Sequence, residues 1–156
     1  MLLKFNDIEN PNELFMYIKS MNQNNDILIS SEVINDNFAM TEIEEIIMGD
    51  YDVINRQTFL AKKWLEAHNY HVNMFWVKNN NHTFLIYQDD DKYNLFEMNS
   101  SYDNIRTFNS FDDAFVYYRC LEVIDNPNLT WIDEVLIYEY DVKNKSRDKS
   151  VKVLYK

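Results

Sequence analysis

The chain has 156 residues, of which 46% are hydrophobic and 15% aromatic, enough apolar material for one folded domain spanning residues 1–156. One cysteine and one glycine exclude an internal disulfide framework and a glycine-rich phosphate loop. The formal net charge of −11 disfavours direct binding of nucleic acid and of anionic membranes, and it favours a basic protein partner.

Two helix starts are recognisable in the first third of the chain. The stretch NPNELFMYIKSM (10–21) opens with a capping asparagine, a proline at the first helical position and Glu13 in place for a capping box. A second helix begins at Thr41, where Glu44 completes another capping box, and it ends at Gly49. Between the two helices, ILISSEVI (27–34) is interpreted as a short strand or an apolar connection.

The longest predicted helix runs from about 52 to 68, and Asn69 follows it as a left-handed cap. Five residues are spaced for one buried face of this helix: Ile54, Ala61, Trp64, Leu65 and His68. A further helix, FDDAFVYYRCLEVI (111–124), starts after Ser110, which can cap it, with Asp113 at the box position.

From Tyr70 onward the hydrophobic period changes from 3.6 residues to 2, which indicates β-strands. Three strands, joined by an asparagine turn and the acidic turn DDDK, are predicted at 70–78, 82–88 and 93–98. Segments 131–142 and 151–156 are predicted to close the fold as a pair of strands. Helices followed by a largely antiparallel sheet define an α+β fold.

His82 and Glu97 form a candidate catalytic pair. His82 opens one predicted strand and Glu97 lies on the next, so the two can meet across the DDDK turn. In acyl transfer, a histidine acts as base toward a cysteine thiol at a helix start, where the helix dipole favours the thiolate that forms, and a carboxylate fixes the tautomer of that histidine. The spacing fits two members of such a triad, and it also fits an ordinary strand-end histidine beside a solvated glutamate.

Four segments of the chain carry a family resemblance: NPNELFMYIKSM, TEIEEIIMGDYDVINRQTFLAKKWLEAHNYHV, NHTFLIYQDDDKYNLFE and TFNSFDDAFVYYRCLEVI. They resemble the opening helix, the nucleophile-bearing region, the His-Thr-Phe and Tyr…Phe-Glu strands, and the closing segment of small bacterial transglutaminase-like proteins. The fold of that superfamily is related to papain-type cysteine proteases. The resemblance implies N-terminal helices packed on an antiparallel sheet, with His82 and Glu97 as two members of a Cys-His-acid triad.

The cysteine of that triad has no counterpart in this chain. The family places it after Gly-x and before an aromatic-acid pair, whereas the segment here is GDYDVINRQ. Aligned on Tyr51 and Asp52, the cysteine position is Asp50; counted from Gly49, it is Tyr51. We expect Asp50 to cap the helix start and to interact favourably with the helix dipole, and the two effects together to contribute about 1 kcal/mol. Cys120 lies in a later helix that the resemblance assigns to structure.

Three functions follow as hypotheses. The leading one is a catalytically inactive, transglutaminase-like protein, a pseudoenzyme that acts by binding another protein. The second is a hydrolase or acyl-transfer enzyme with an altered site, in which Asp50, His82 and Glu97 position a water molecule. The third is an acidic inhibitor or decoy of a basic nucleic-acid-binding protein, which the net charge of −11 motivates.

The sequence predicts no cofactor and no bound metal. The acidic turn is too short for an EF-hand loop and lacks its central glycine. The histidines His68, His71 and His82 lack zinc-site spacing and supporting cysteines. One cysteine and the lack of any apolar run near 18 residues predict a cytoplasmic protein without a membrane span. The Asn-, Ile- and Lys-rich composition indicates an AT-rich genome, such as that of a low-GC bacterium or its phage.

Overall fold

A computed structural model of the chain describes residues 4–23, 29–49, 52–77, 82–98, 104–125, 134–141 and 146–154. These residues form an α+β fold of helices and an antiparallel sheet, as the sequence predicts. After a short 3-10 helix, Phe5–Asp7, the helices are α1 Pro11–Gln23, α2 Ile29–Asn37, α3 Glu42–Gly49, α4 Val53–Ala67 and α5 Phe111–Asp125. The strands are β1 His71–Val77, β2 His82–Asp89, β3 Lys92–Phe96, β4 Arg106–Phe108, β5 Glu134–Asp141 and β6 Ser146–Leu154.

The first two predicted helix starts form through their own side chains. At α1, the side-chain oxygen of Asn10 accepts a hydrogen bond from the amide of Glu13 at 2.9 Å. At α3, Thr41 and Glu44 each accept a hydrogen bond from the amide of the other, at 3.1 and 3.2 Å, which is a reciprocal capping box. These bonds satisfy amide groups that a helix start otherwise leaves without partners.

The two later helices also begin at capping residues, and α4 is followed by a left-handed residue. Asp52 caps α4, because its carboxylate accepts a hydrogen bond from the amide of Asn55 at 2.9 Å. Asn69, just after α4, has a φ of 67°, so it is the left-handed residue that the sequence predicts. At α5, the hydroxyl of Ser110 accepts a hydrogen bond from the amide of Asp113 at 3.1 Å.

Three features of the helices and strands differ from the sequence predictions. Residues 29–37 form helix α2 rather than a strand or connection, and Ile34 within it is fully buried. A short apolar run does not by itself distinguish a helix from a strand. The sequence does not predict β4, because three residues are too few to show alternation. Ile54 is 40% exposed and His68 is also exposed, so neither lies on the buried face. The buried side of α4 instead includes the polar side chains of Asn55, Gln57 and Thr58.

The six described strands form one antiparallel sheet in the order β4-β3-β2-β1-β5-β6. Gln88 pairs with Tyr93, so the acidic turn joins β2 and β3 as a hairpin, which is the connection that the sequence predicts. The hairpin of β5 and β6 confirms the predicted closing pair, although β6 begins several residues earlier than expected. The edge strands of the described sheet are therefore β4 and β6.

The helices cover the sheet from both faces. On one face, Phe15 of α1 packs edge-on against Phe96 of β3, with ring centroids 5.2 Å apart. On the other face, α5 places Phe115 against Phe75 of β1 with ring centroids 5.6 Å apart. The core therefore lies in two layers, one on each side of β1, β2 and β3. Among the described helices, none has both the length and the apolar character to cross a bilayer.

Candidate functional site

The side chains of His82 and Glu97 are in direct contact. The distance from His82 Nε2 to Glu97 Oε1 is 2.5 Å. His82 is the first residue of β2, and Glu97 directly follows β3. Because Leu85 pairs with Phe96, extending this register places the two residues diagonally across the hairpin, within reach of long side chains. The predicted meeting of histidine and glutamate is therefore found.

Burial of this pair is uneven. The side chain of Glu97 is 1% exposed, whereas that of His82 is 15% exposed. An ionised carboxylate can only accept hydrogen bonds, so Nε2 of His82 carries the proton and donates to Glu97. This bond fixes the orientation of the imidazole ring, and Nδ1 is the ring nitrogen that does not contact Glu97 Oε1. The arrangement is that of a base and its orienting acid, and it is equally that of a buried structural ion pair.

The histidine–glutamate pair lies on the face of the sheet that α5 covers. Neighbouring strand residues point to opposite faces, so Thr83 lies on one face of β2 and both His82 and Phe84 lie on the other. The hydroxyl of Thr83 donates to the side-chain oxygen of Asn55, in the first turn of α4, at 2.8 Å. Phe84 stacks on Tyr118 of α5, with ring centroids 3.7 Å apart. Because His82 is two residues from Phe84 along β2, these two residues share the α5 face.

The first turn of α4 therefore contacts the face opposite the histidine–glutamate pair. In the triad expected from the sequence, this helix start would carry the nucleophile. The cap that the sequence assigns to Asp50 belongs to Asp52, which is exposed. Asp50 and Tyr51, the two possible cysteine positions, lie outside the described residues. Cys120 belongs to α5, and its side chain also lies outside the described part of the structure.

Sequence reasoning missed the polar bond that anchors α4 to Thr83, on the face opposite His82. Asn55 and Thr83 are each 1% exposed or less, and their side-chain bond joins the first turn of α4 to the start of β2. The burial of Asn55 could have been inferred from its spacing, since it lies four residues before the buried Phe59. A buried hydrogen bond of this kind fixes the register between helix and sheet.

Gln57 is a second buried polar residue in α4 that the sequence does not single out. Its side chain is fully buried, and neither its amide nitrogen nor its amide oxygen has a hydrogen-bond partner among the described residues. A buried amide without partners costs about 1–3 kcal/mol of folding free energy. Gln57 is therefore a weak point in the core of this domain.

A groove of about 490 Å³ lies beside the edge strand β4, and neither His82 nor Glu97 lines it. Its lining consists of Lys92, Thr107, Phe108, Asn109, Asp113, Val116 and Tyr117. His82 starts β2, whereas Lys92 of the groove follows the turn at the other end of that strand, so these two residues lie at opposite ends of β2. The described residues include no group of three or more histidine, cysteine, aspartate or glutamate side chains arranged to hold a metal ion.

Comparison of the chain with protein-family models, with curated proteins and with solved structures finds no match. The transglutaminase-like resemblance therefore stays a prediction.

Proposed function

We propose that this protein is a non-catalytic, transglutaminase-like protein with a papain-like fold that acts by binding a basic protein partner. The observation that carries the proposal is the His82–Glu97 pair, which is present at 2.5 Å although neither possible cysteine position carries a thiol. A carboxylate or a phenol is a far weaker acyl-transfer nucleophile than a thiolate at neutral pH.

The location of the pair supports the same conclusion. The imidazole lies on the α5 face, and the first turn of α4 packs on the other face through the bond between Asn55 and Thr83. Acyl transfer requires a nucleophile within hydrogen-bond reach of its base. In this arrangement Glu97 and His82 act as a structural pair that holds the ends of β2 and β3 together.

The charge distribution indicates the chemistry of the partner. Between Ser20 and Asn55 the sequence contains eight acidic residues and no lysine, arginine or histidine. Among the described residues of this segment, the exposed acids are Glu32, Asp36, Glu42, Glu45 and Asp52. A surface of one sign attracts an oppositely charged partner and speeds its association at low ionic strength. A basic nucleic-acid-binding protein is one partner with this chemistry, so the acidic decoy is a special case of the proposal.

Partner capture tests the binding function. Immobilised full-length protein should retain one or more basic proteins from a lysate of a low-GC bacterium at low salt and release them as salt is raised. Affinity of the purified partner should then fall steadily with ionic strength. If no basic protein is retained at low salt, or if binding is indifferent to salt, the proposed function is wrong.

A second function is favoured by one specific observation. His82 is partly exposed and is oriented by Glu97, which is the arrangement of a general base and its orienting acid. With Asp50, this pair could position water for hydrolysis. The hypothesis requires turnover of an amide or ester that disappears when His82 is replaced and the fold is retained.

A further inference from the structure

The groove beside β4 has an apolar floor, and an exposed apolar residue of α5 also lines it. Phe108 at the end of β4 packs against Tyr117 of α5, with ring centroids 5.1 Å apart. Val116, the neighbouring α5 residue, is 45% exposed and lines the same groove. Large apolar side chains this exposed are few among the described residues, and this one lies in a concave site rather than alone on a convex surface.

Strand β4 offers backbone hydrogen-bonding groups along the same groove. It pairs with β3 on one side only, and no other described strand pairs with its outer side. The side chain of Thr107, the central residue of β4, bonds to the neighbouring strand β3: its hydroxyl donates to the side-chain oxygen of Asn94 at 2.7 Å. An edge strand directs N–H and C=O groups outward, and an extended peptide can pair with them.

Acidic side chains surround this end of the groove. The amino group of Lys92 donates to the side-chain oxygen of Asn109 at 2.5 Å, which holds the β2–β3 turn against the start of α5. Five exposed aspartates are thereby gathered here: Asp89, Asp90, Asp91, Asp112 and Asp113. The exposed Arg106 lies at the opposite end of β4. The end of the rim that holds the aspartates is therefore complementary to positive charge, and the floor to one apolar side chain.

We propose that the partner docks here as an extended segment that pairs with β4 and inserts one apolar side chain, flanked by lysine or arginine, beside Val116 and Tyr117. In a strand, side chains two positions apart share a face. The basic residues therefore belong two positions before and after the apolar residue, with small residues between. This inference rests on the proposed protein-binding function and assigns that function a site and a recognition pattern.

The test uses a synthetic peptide, acetyl-Lys-Thr-Leu-Thr-Arg-amide, and the full-length protein. Binding is measured by titration, and the contact site is identified from backbone amide shifts. We expect shifts confined to Arg106–Phe108 and the first half of α5. Peptides in which leucine is replaced by serine, or both basic residues by glutamate, should bind at least about tenfold more weakly, which corresponds to about 1.4 kcal/mol.

Val116→Lys removes the apolar contact and adds a repelling charge, so it should weaken peptide binding at least tenfold. Met16→Lys is the matched control, because Met16 is also an exposed apolar helix residue, 67% exposed, on α1. This control should leave affinity within about twofold. Both variants change only exposed positions, and circular dichroism with thermal unfolding checks that they fold.

Each other outcome overturns the inference. No binding of the peptide, equal binding of all three peptides, or equal effects of the two lysine variants would each remove the groove as the docking site. Self-association of the protein that Val116→Lys abolishes would instead make a second copy of the chain the occupant. If the captured basic partner binds Val116→Lys as well as wild type, the proposed function stands and its site lies elsewhere.

Discussion

At the scale of single residues, the His82–Glu97 contact is accounted for by burial. A carboxylate that is 1% exposed has lost most of its hydration, and a charged hydrogen bond from imidazole offsets that loss. Removing the histidine leaves the carboxylate buried with that bond broken. The pair therefore has a structural role that does not depend on any reaction.

We predict that His82→Ala lowers the free energy of unfolding by about 2–3 kcal/mol, as expected for loss of a charged hydrogen bond to a buried group. Urea denaturation followed by circular dichroism measures the change. His71→Ala is the control, because His71 is an exposed histidine on β1 and should change stability by about 0.5 kcal/mol or less. Equal stability of the two variants would contradict a structural role for the pair.

For Gln57 we predict a substitution that raises the free energy of unfolding rather than lowering it. Replacing this fully buried amide with methionine, which has a similar shape, should raise the free energy of unfolding by about 1 kcal/mol, since two unpartnered polar atoms are removed. Gln88→Met serves as control, because Gln88 donates a hydrogen bond to the carbonyl of Asp90 and should gain nothing. Destabilisation by Gln57→Met would show that the amide has a partner in solution.

At the scale of elements, the ion pair between Glu44 and Lys63 fastens α3 to α4. The distance from Lys63 Nζ to Glu44 Oε2 is 2.9 Å, and the same carboxylate completes the capping box with Thr41. Burial by itself raises the pKa of Glu44, but the bonds from Lys63 and Thr41 outweigh it, and the pKa falls below its ordinary value of 4.5. The charged form of Glu44 therefore stabilises the folded state.

The lowered pKa of Glu44 determines how the stability contributed by the Glu44–Lys63 ion pair depends on pH. Because the folded pKa lies below the unfolded one, the stabilisation is fully present at neutral pH and is lost as pH falls below about 4.5, through the folded pKa. We predict that Glu44→Gln is less stable than wild type at pH 7 and that the difference shrinks at acidic pH. Denaturant titrations across this range measure it.

The control for the pH prediction is Glu45→Gln, which changes an exposed acid on the same helix. Its stability relative to wild type should vary little with pH over the range in which Glu44→Gln approaches wild type. A stability difference for Glu44→Gln that stays constant down to low pH would contradict the role given to this carboxylate.

Local signals explain which elements the sequence predicts. Capping residues mark the starts of α1, α3 and α5. Turn residues in the sequence bound the short apolar runs of β1, β2 and β3, so these elements follow from neighbouring residues alone. Helix α2 depends on packing of Ile34 in the core, and β4 depends on pairing with β3. Contacts between distant segments are not readable from a short run of sequence.

In the candidate site, too, one feature can be predicted from local sequence and others depend on tertiary packing. The meeting of His82 and Glu97 is predictable because a hairpin brings its two strands into a fixed register. The face on which they lie depends on where α4 and α5 pack, and that is a tertiary property. The residues that line the groove come from β3, β4, α5 and the segment between β4 and α5, so no continuous sequence motif predicts the groove.

At the scale of the whole molecule, charge is divided unevenly along the chain. The segment from Ser20 to Asn55 holds eight acids and no basic residue, whereas residues 142–156 hold six lysines or arginines and one aspartate. An uneven charge distribution orients a charged partner during approach. We predict that association with the captured basic partner slows steeply as salt rises while dissociation changes less, which stopped-flow mixing would measure. Equal salt dependence of both rates would contradict electrostatic steering.

The central claim is that His82 and Glu97 stabilise this protein without catalysing a reaction. The most direct measurement compares turnover of an amide, an ester and an amine-acceptor substrate by wild type and by His82→Gln, which keeps a hydrogen-bond donor at the position. His71→Gln is the matched control. We expect no turnover above the buffer rate in any of the three proteins. Turnover by wild type and His71→Gln that vanishes in folded His82→Gln would contradict the claim and establish a working enzyme.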